Sequence, residues 1–219
     1  MKLSLTPQQE AVSIKTSSER LQKLAILYAQ DQEILKAIAT NPNTPPKLLL
    51  KLGAKFPQVL LDNPMFDLLL LENPNLISEL NIVILKKLLK LKPIPEFILE
   101  GAARHKDRIK LANDHNTPII FLEILAKDSD TQVRSNVAVN KNTPLELLEI
   151  LAKDPDTQVR SNVASHRNTS ESILECLASD HDVQVRCRVA SHPKTPKRII
   201  KQLAQDTDAK VRHRVAYYH

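Results

Sequence analysis

Apolar residues in the C-terminal half of the chain recur at a fixed interval of 26 residues. Residues 117–142 and 143–168 are identical at 19 of 26 positions, and the same spacing separates the Val-Arg pairs that begin at Val133, Val159, Val185 and Val211. A repeat of this length, in which no unit can bury its apolar face alone, is typical of a stacked solenoid.

The first half of each unit has the apolar spacing of a helix. Leu147, Leu148 and Leu151 fall on one helical face. Thr143 is predicted to be the N-cap, with Pro144 at the first helical position and Glu146 completing a capping box. We predict a helix from about residue 144 to 153.

The second half of the unit predicts another, shorter helix over the stretch TQVRSNVA. Asp156 is placed to cap it, and Val159 and Val163 lie one turn apart on the side predicted to be buried. Neither segment is long enough to be stable alone, so each must pack on its neighbours.

The pattern N-x-x-T-P-x-x-L-x-x-L-A-x-D-x-D-x-x-V-R-x-x-V-A resembles the leucine-rich repeat variant of bacteria, which is related in style to HEAT and armadillo repeats. The resemblance implies an all-α fold, a right-handed α-solenoid in which α-helices alternate with short α- or 3₁₀-helices. The founding example of that family carries a four-cysteine iron–sulfur motif, and this sequence does not match it.

The predicted organisation is one continuous solenoid, and the alternative is a boundary between two small solenoids within residues 53–93. It consists of an N-terminal capping helix over 1–20, repeat-like helices over 21–52, degenerate Leu-rich helical repeats over 53–93, and regular repeats over 94–219 (94–116, 117–142, 143–168, 169–194 and 195–219).

Composition favours helices and a non-catalytic protein. The 219 residues include no Trp and only two Gly, so the turn residues of β-hairpins are nearly absent. The sequence contains no phosphate-binding loop and no hydrolase or metalloprotease motif. We therefore predict no enzyme activity, no cofactor and no metal.

The cysteines and histidines also have structural interpretations. Cys176 occupies the slot of Ile124 and Ile150, which predicts a core position. His166 and His192 are one repeat apart, too far for one zinc ion, and are predicted to lie on the surface.

A column of arginines is the most prominent polar feature. Its members recur once per unit near an Asp: Arg134, Arg160, Arg186 and Arg212. One interpretation is an Asp–Arg ladder that ties successive repeats together. The other is a basic track that follows an acidic partner or a nucleic-acid backbone.

Positions that vary between units are candidates for partner binding, since folding does not dictate them. One variable column contains Asn136, Asn162, Arg188 and Arg214; a second, predicted to lie opposite Val133, contains Ser135, Ser161, Cys187 and His213; Lys141, Arg167 and Lys194 lie at the turn between units. These positions become more basic toward the C-terminus, where residues 186–219 carry nine basic and two acidic side chains.

The sequence thus predicts a scaffold that binds another protein, and the alternative is nucleic-acid backbone binding by the basic C-terminal repeats. An accessory role beside an enzyme is a third hypothesis. No apolar stretch predicts a membrane span or a signal peptide, so a cytoplasmic protein is expected. The last unit stops one residue short of a full repeat, which predicts a fragment or an end-to-end contact there.

Overall fold

The computed structural model describes residues 5–218, which form eighteen helices and no strand. Their bounds are α1 Pro7–Val12, α2 Ser18–Leu27, α3 Gln32–Thr40, α4 Pro46–Gly53, α5 Pro57–Asp62, α6 Pro64–Glu72, α7 Leu76–Glu79, α8 Ile82–Leu88, α9 Glu96–Ala103, α10 Arg108–Asn113, α11 Ile119–Leu125, α12 Thr131–Val139, α13 Leu145–Leu151, α14 Thr157–Ser165, α15 Glu171–Leu177, α16 Val183–Ala190, α17 Lys197–Leu203 and α18 Ala209–Tyr218. The predicted all-α helical solenoid is confirmed. His219 and the first four residues of the predicted 1–20 helix lie outside the described residues.

The chain divides between Lys106 and Asp107 into two units, and each has its own helix packing. In the C-terminal unit, α10, α12, α14, α16 and α18 pack side by side in that order. We call these the second-helix layer. The intervening helices α11, α13, α15 and α17 form the first-helix layer, and each packs against the second helices before and after it.

The core of a regular repeat is made by the predicted apolar residues. Leu147, Leu148 and Leu151 of α13 and Val159 and Val163 of α14 are at most 3% exposed. Burial of each such side chain contributes roughly 1.5–3 kcal/mol. Helices this short would not be stable alone, because an isolated helix needs about 12–15 residues. The packing between layers therefore stabilises the helices themselves.

One detail of the predicted repeat differs from the structure. The second helix is the longer of the pair, with nine residues in α14 against seven in α13. Both are α-helices, and bonds of the 3₁₀ type follow the first helix, as in Lys153 N–H to Ile150 O. The right-handed sense of the superhelix stays a prediction.

The predicted N-cap of the first helix was wrong. Pro144 occupies the cap position of α13, and no side chain caps that helix. Thr143 is buried instead, and its Oγ1 donates to Val137 O of the preceding helix at 2.6 Å. The same bond recurs at Thr44, Thr117, Thr169 and Thr195. At these five positions, four of which precede a Pro, the Thr therefore satisfies a carbonyl at the end of one unit rather than starting the next.

In the N-terminal unit the packing is less regular. Helices α1, α3 and α5 pack in succession, α7 packs against α9, and α8 packs against α4 and α5. Thr6 and Gln9 form a capping box at the start of α1. Four helices, α5 to α8, lie within residues 53–93. The continuity of all repeats in one solenoid stays a prediction.

Gly101 is predicted to be essential for the contact between α7 and α9. A Cβ atom at this position would lie 2.4 Å from Ile77 Cβ and 2.5 Å from Ile77 Cγ2. These atoms are next to the backbone and cannot move without displacing the helix. We expect Gly101→Ala to lower the free energy of unfolding by about 1–3 kcal/mol in urea titrations, with an unchanged m-value.

Gly53→Ala is the matched control, because its nearest neighbour is Leu60 Cδ2, the far end of a flexible side chain. It should cost less than Gly101→Ala. A Gly101→Ala protein as stable as the wild type would show that the α7–α9 contact is not as close as described.

Candidate functional site

The arginine column forms a ladder between successive repeats. Arg134 donates from Nε to Asp154 Oδ2 at 2.7 Å and from Nη2 to Asp154 Oδ1 at 3.0 Å, a two-point contact with the next unit. Its Nη1 donates to the carbonyls of Asp128 and Ser129 in its own unit. The guanidinium therefore joins the turn of one repeat to the turn of the next.

Two further rungs have the same geometry. Arg160 pairs with Asp180, and Arg186 pairs with Asp206, each with a 2.7 Å Nε–Oδ2 contact. The side chains of Arg160 and Asp180 are only 6% and 7% exposed. The hydrogen bond from Arg186 lowers the pKa of Asp206, and the pKa of Arg186 is raised in return. This is the geometry that the ladder interpretation predicts, and it leaves these guanidinium groups little surface for a partner.

The first and last arginines of the ladder have different partners from those in the middle. At the start, Arg108 Nε donates to Asp128 Oδ2 at 2.8 Å. At the other end, the exposed Arg212 donates to the carbonyls of Asp206 and Thr207. Within residues 5–218, no carboxylate pairs with Arg212, so two of its nitrogens remain available.

The recurring aspartates have the structural roles that the sequence predicted. One set accepts the arginines, and the second caps the helices of the second-helix layer, as Asp156 does by accepting from Gln158 N–H at 2.8 Å. Asp156 N–H in turn donates to Asp154 Oδ1 at 2.9 Å. Every carboxylate of such a pair is thus engaged in folding.

A second ladder, which the sequence pattern did not predict, follows helices α12, α14 and α16 of the second-helix layer. Asn140 is fully buried, and its Nδ2 donates to Ala112 O at 2.7 Å and Asp114 O at 3.1 Å in the preceding unit. Its Oδ1 accepts from Asn142 N–H at 3.0 Å. Asn41 and Asn63 make the equivalent bonds in the N-terminal unit.

His166 and His192 occupy this same position, so the prediction that they lie on the surface was wrong. They are 6% and 4% exposed. His166 Nδ1 accepts from Asn168 N–H at 3.2 Å, which leaves Nε2 as the donor to Asn140 O at 3.0 Å. His192 repeats this pattern toward His166 O. The imidazole reproduces the donor and acceptor of the Asn amide only when it is neutral.

Burial lowers the pKa of both rings from the ordinary value of 6.5. The bond to a backbone carbonyl opposes this shift, whereas the charges of nearby Arg167 and Lys194 add to it for His166. For His192, Lys194 and His166 add to it. All these effects together favour the neutral ring in the folded chain.

Three other predicted positions also differ. Cys176 is exposed rather than in the core, because its slot, like Ile150 at 55% exposure, faces out of the first-helix layer. Ser135 and Ser161 were predicted to point away from the core, but each is 6% exposed. Adjacent second helices pack closely enough to cover these small side chains.

The column of Asn136, Asn162, Arg188 and Arg214 lies along the second-helix layer and changes its role along the chain. Asn162 Nδ2 donates to Ser135 Oγ at 2.8 Å across the α12–α14 contact, and Asn136 makes a similar bond to Ile109 O at 3.1 Å. Arg188 and Arg214 are exposed instead. The Arg214 guanidinium donates from Nη1 to the Tyr218 hydroxyl, one turn away on the same helix, at 3.4 Å.

An open groove of about 750 Å³ lies between α16 and α18. Its lining includes Val183, Cys187, Ala209 and Tyr217 along with the polar or basic residues Gln184, Lys210, His213 and Arg214. Burial raises the pKa of the Cys187 thiol, so it stays uncharged at neutral pH. The groove therefore combines an apolar floor with basic side chains, and it contains His213 and Arg214 from the predicted site.

Two predicted site residues lie elsewhere. Arg167 and Lys194 are exposed at turns between units, where Lys194 Nζ donates to Arg167 O at 2.8 Å. The predicted set thus separates into ladder arginines, turn residues and the residues of the second-helix layer. No group of three or more His, Cys, Asp or Glu side chains suited to a metal occurs among the described residues, and none of their helices is long and apolar enough to cross a membrane.

Comparison with known proteins supports the predicted resemblance. The family model for the leucine rich repeat variant matches residues 131–156. A solved structure described as a leucine-rich repeat variant with a novel repetitive protein structural motif covers 96% of this chain, which in turn covers 76% of that one, with 23% identity and a TM-score of 0.52. The comparison with curated proteins finds no match. The chain therefore contains a repeat of this type and shares its helical fold.

The Arg–Asp ladder is predicted to stabilise the repeats strongly. Arg160→Met should lower the free energy of unfolding by about 3 kcal/mol, because it leaves the nearly buried Asp180 without its partner. Arg212→Met is the matched control, and it should cost less than about 0.5 kcal/mol because its guanidinium is exposed. Chemical denaturation measures both, and equal effects would show that the ladder does not stabilise the fold.

His166 and His192 are predicted to make stability depend on pH. Because their pKa values are lower in the folded chain than 6.5, the unfolded chain binds more protons as the pH falls through 6.5. Stability should be complete above about pH 7 and then decrease, by at most about 1.4 kcal/mol per pH unit for each ring.

The double variant His166→Asn, His192→Asn should lose most of this dependence, since Asn140 makes the same bonds with an amide that does not titrate. His115→Asn, at an exposed position, serves as the control. Denaturation between pH 7.5 and 5 compares the variants, and an unchanged pH profile in the double variant would contradict the assignment.

Proposed function

We propose that this solenoid of leucine-rich repeat variant units is a non-catalytic scaffold that binds another protein through the second-helix layer of its C-terminal unit. Helical repeats of this family are typically non-enzymatic, and stacked repeats offer an extended surface for a partner. The proposal rests mainly on one observation: the column that bonds helix to helix through Asn136 and Asn162 becomes the exposed Arg188 and Arg214.

The division between internal and exposed columns supports this location. Ladder residues such as Arg160 and Asp180 are occupied in folding. In contrast, within residues 5–218 the side chains of Arg188, His213 and Arg214 make no hydrogen bond to another unit, so their identity is free to serve a partner. Exposed arginine and tyrosine side chains are also the types most often enriched at protein interfaces.

Cross-linking in extracts of the source cell tests the proposal. The wild type should retrieve specific proteins, and the Arg188→Glu, Arg214→Glu variant should lose them, since like charges would then oppose an acidic partner. Lys197→Glu, Lys201→Glu changes the net charge equally on exposed residues of α17, in the first-helix layer, and should retain them. An unchanged set of partners in the arginine variant would remove these residues from the site.

Nucleic-acid backbone binding is the second candidate, and the exposed Arg188, Lys210 and Arg214 favour it. Such binding is strongest at low ionic strength because it releases counterions. A mobility shift with random duplex at about 50 mM salt distinguishes the two functions. A salt-sensitive shift that the arginine reversal abolishes would support the nucleic acid, whereas no shift at this salt concentration would eliminate it.

A further inference from the structure

Helix α18 departs from the earlier helices of its layer in a way that is unfavourable for folding. On α14, Gln158 Nε2 donates to Asn162 Oδ1 at 2.9 Å, and Gln132 bonds to Asn136 in the same way on α12. The equivalent positions on α18 are Lys210 and Arg214, four residues apart. A bonded neutral pair has thus become a pair of like charges, which destabilises a helix by roughly 0.2–0.5 kcal/mol.

No acidic side chain on α18 offsets this charge. The helix also contains Arg212 and His213, and its sequence AKVRHRVAYY has no Asp or Glu. The neighbouring Asp206 already accepts from Arg186, and Asp208 caps the helix by accepting from Lys210 N–H at 2.7 Å. Within residues 5–218, the excess positive charge of α18 is therefore exposed and has no carboxylate partner.

The exposed aromatic residue Tyr217 adds an apolar wall to this charge. It is 75% exposed, and the two preceding units carry Ser165 and Ser191 at its position. Together with Val183, Cys187 and Ala209 it bounds the 750 Å³ groove, beside the like-charged pair.

We propose that the groove between α16 and α18 binds a short acidic segment of a partner protein. Carboxylates of the segment pair with Lys210 and Arg214, and one apolar side chain lies against the floor formed by Val183, Cys187 and Ala209. This inference rests on the proposed function, because it takes the partner to be a protein.

The size of the groove favours a peptide over a nucleic acid. Adjacent packed helices lie about 8–10 Å apart, and this spacing sets the width of the groove. An extended peptide rises about 3.3 Å per residue, so roughly three residues would cross the groove. A phosphate backbone would need cations along more of the layer, but Asn136 and Asn162 are neutral and bonded. The apolar floor of the groove also favours contact with an apolar amino-acid side chain over contact with a charged phosphate backbone.

The test uses a labelled octapeptide in which a central Leu-Phe pair is flanked by Asp and Glu, and a control peptide with Asn and Gln in their place. By fluorescence anisotropy, the full chain should bind the acidic peptide at least tenfold more tightly. Lys210→Gln, Arg214→Asn restores the residues of the earlier repeats and should weaken this binding about tenfold or more. Lys197→Gln, Lys201→Gln removes the same charge from α17 and should leave binding unchanged.

Thermal unfolding ensures that a loss of binding is not a loss of folding. The midpoint of Lys210→Gln, Arg214→Asn should equal or exceed that of the wild type, because the like-charged pair is gone and the bonded pair can form. A lower midpoint would contradict the cost assigned to the charges. The inference is overturned if the chain binds both peptides equally, if both double variants weaken binding alike, or if a thymidine oligonucleotide binds more tightly than the acidic peptide.

The two proposals fail in different ways. If the wild type and the Lys210→Gln, Arg214→Asn variant cross-link to the same proteins, the groove is not the binding site, but the scaffold function stands. If the wild type cross-links to no protein, the scaffold function itself fails.

Discussion

The fold depends on hydrogen bonds that reach from each repeat to its neighbour. Helices of seven to nine residues have little stability alone, and apolar packing between similar units does not by itself fix their register. The Arg160–Asp180 pair and the Asn140 amide supply that register, because each satisfies a specific group in an adjacent unit. Burial supplies most of the favourable free energy, and the two ladders select one stacking among many.

This constraint divides the surface into positions that folding fixes and positions that it leaves open. Ladder residues repeat because each unit needs them, even where they are charged and eye-catching. The second-helix layer carries both kinds of position side by side. Where Asn162 bonds to Ser135 the layer is closed, and where Arg214 replaces it the layer offers a basic groove. Positions that depart from the repeat, such as Arg188 and Arg214, are therefore the ones free to serve a function.

Much of the fold could be predicted from the sequence, since a 26-residue period and the Leu and Val spacing determine which faces are buried. The Arg–Asp ladder was one of two interpretations, because spacing along a chain does not show whether a carboxylate 20 residues ahead lies within reach. The prediction for Thr143 was wrong because a Thr before Pro has two possible roles. Its hydroxyl can cap the helix that follows or donate to a carbonyl of the helix that precedes, and the sequence does not distinguish the two. The prediction for His166 was wrong because His and Asn are different residue types, and the sequence does not show that both donate and accept the same hydrogen bonds at this position. The groove could not be predicted, because it depends on the side-chain orientations between α16 and α18 and the repeat period does not determine them.

The forward reach of the ladder has a consequence for how such a chain changes length during evolution. Each rung joins an Arg to an Asp 20 residues later, within a period of 26. Removal or duplication of one whole period by recombination brings an equivalent Asp to the same distance from the same Arg. Every junction then re-forms with the bonds it had before, so no new interface has to arise. A gene of this kind can gain or lose repeats in single events, and the number of units becomes a variable on which selection can act.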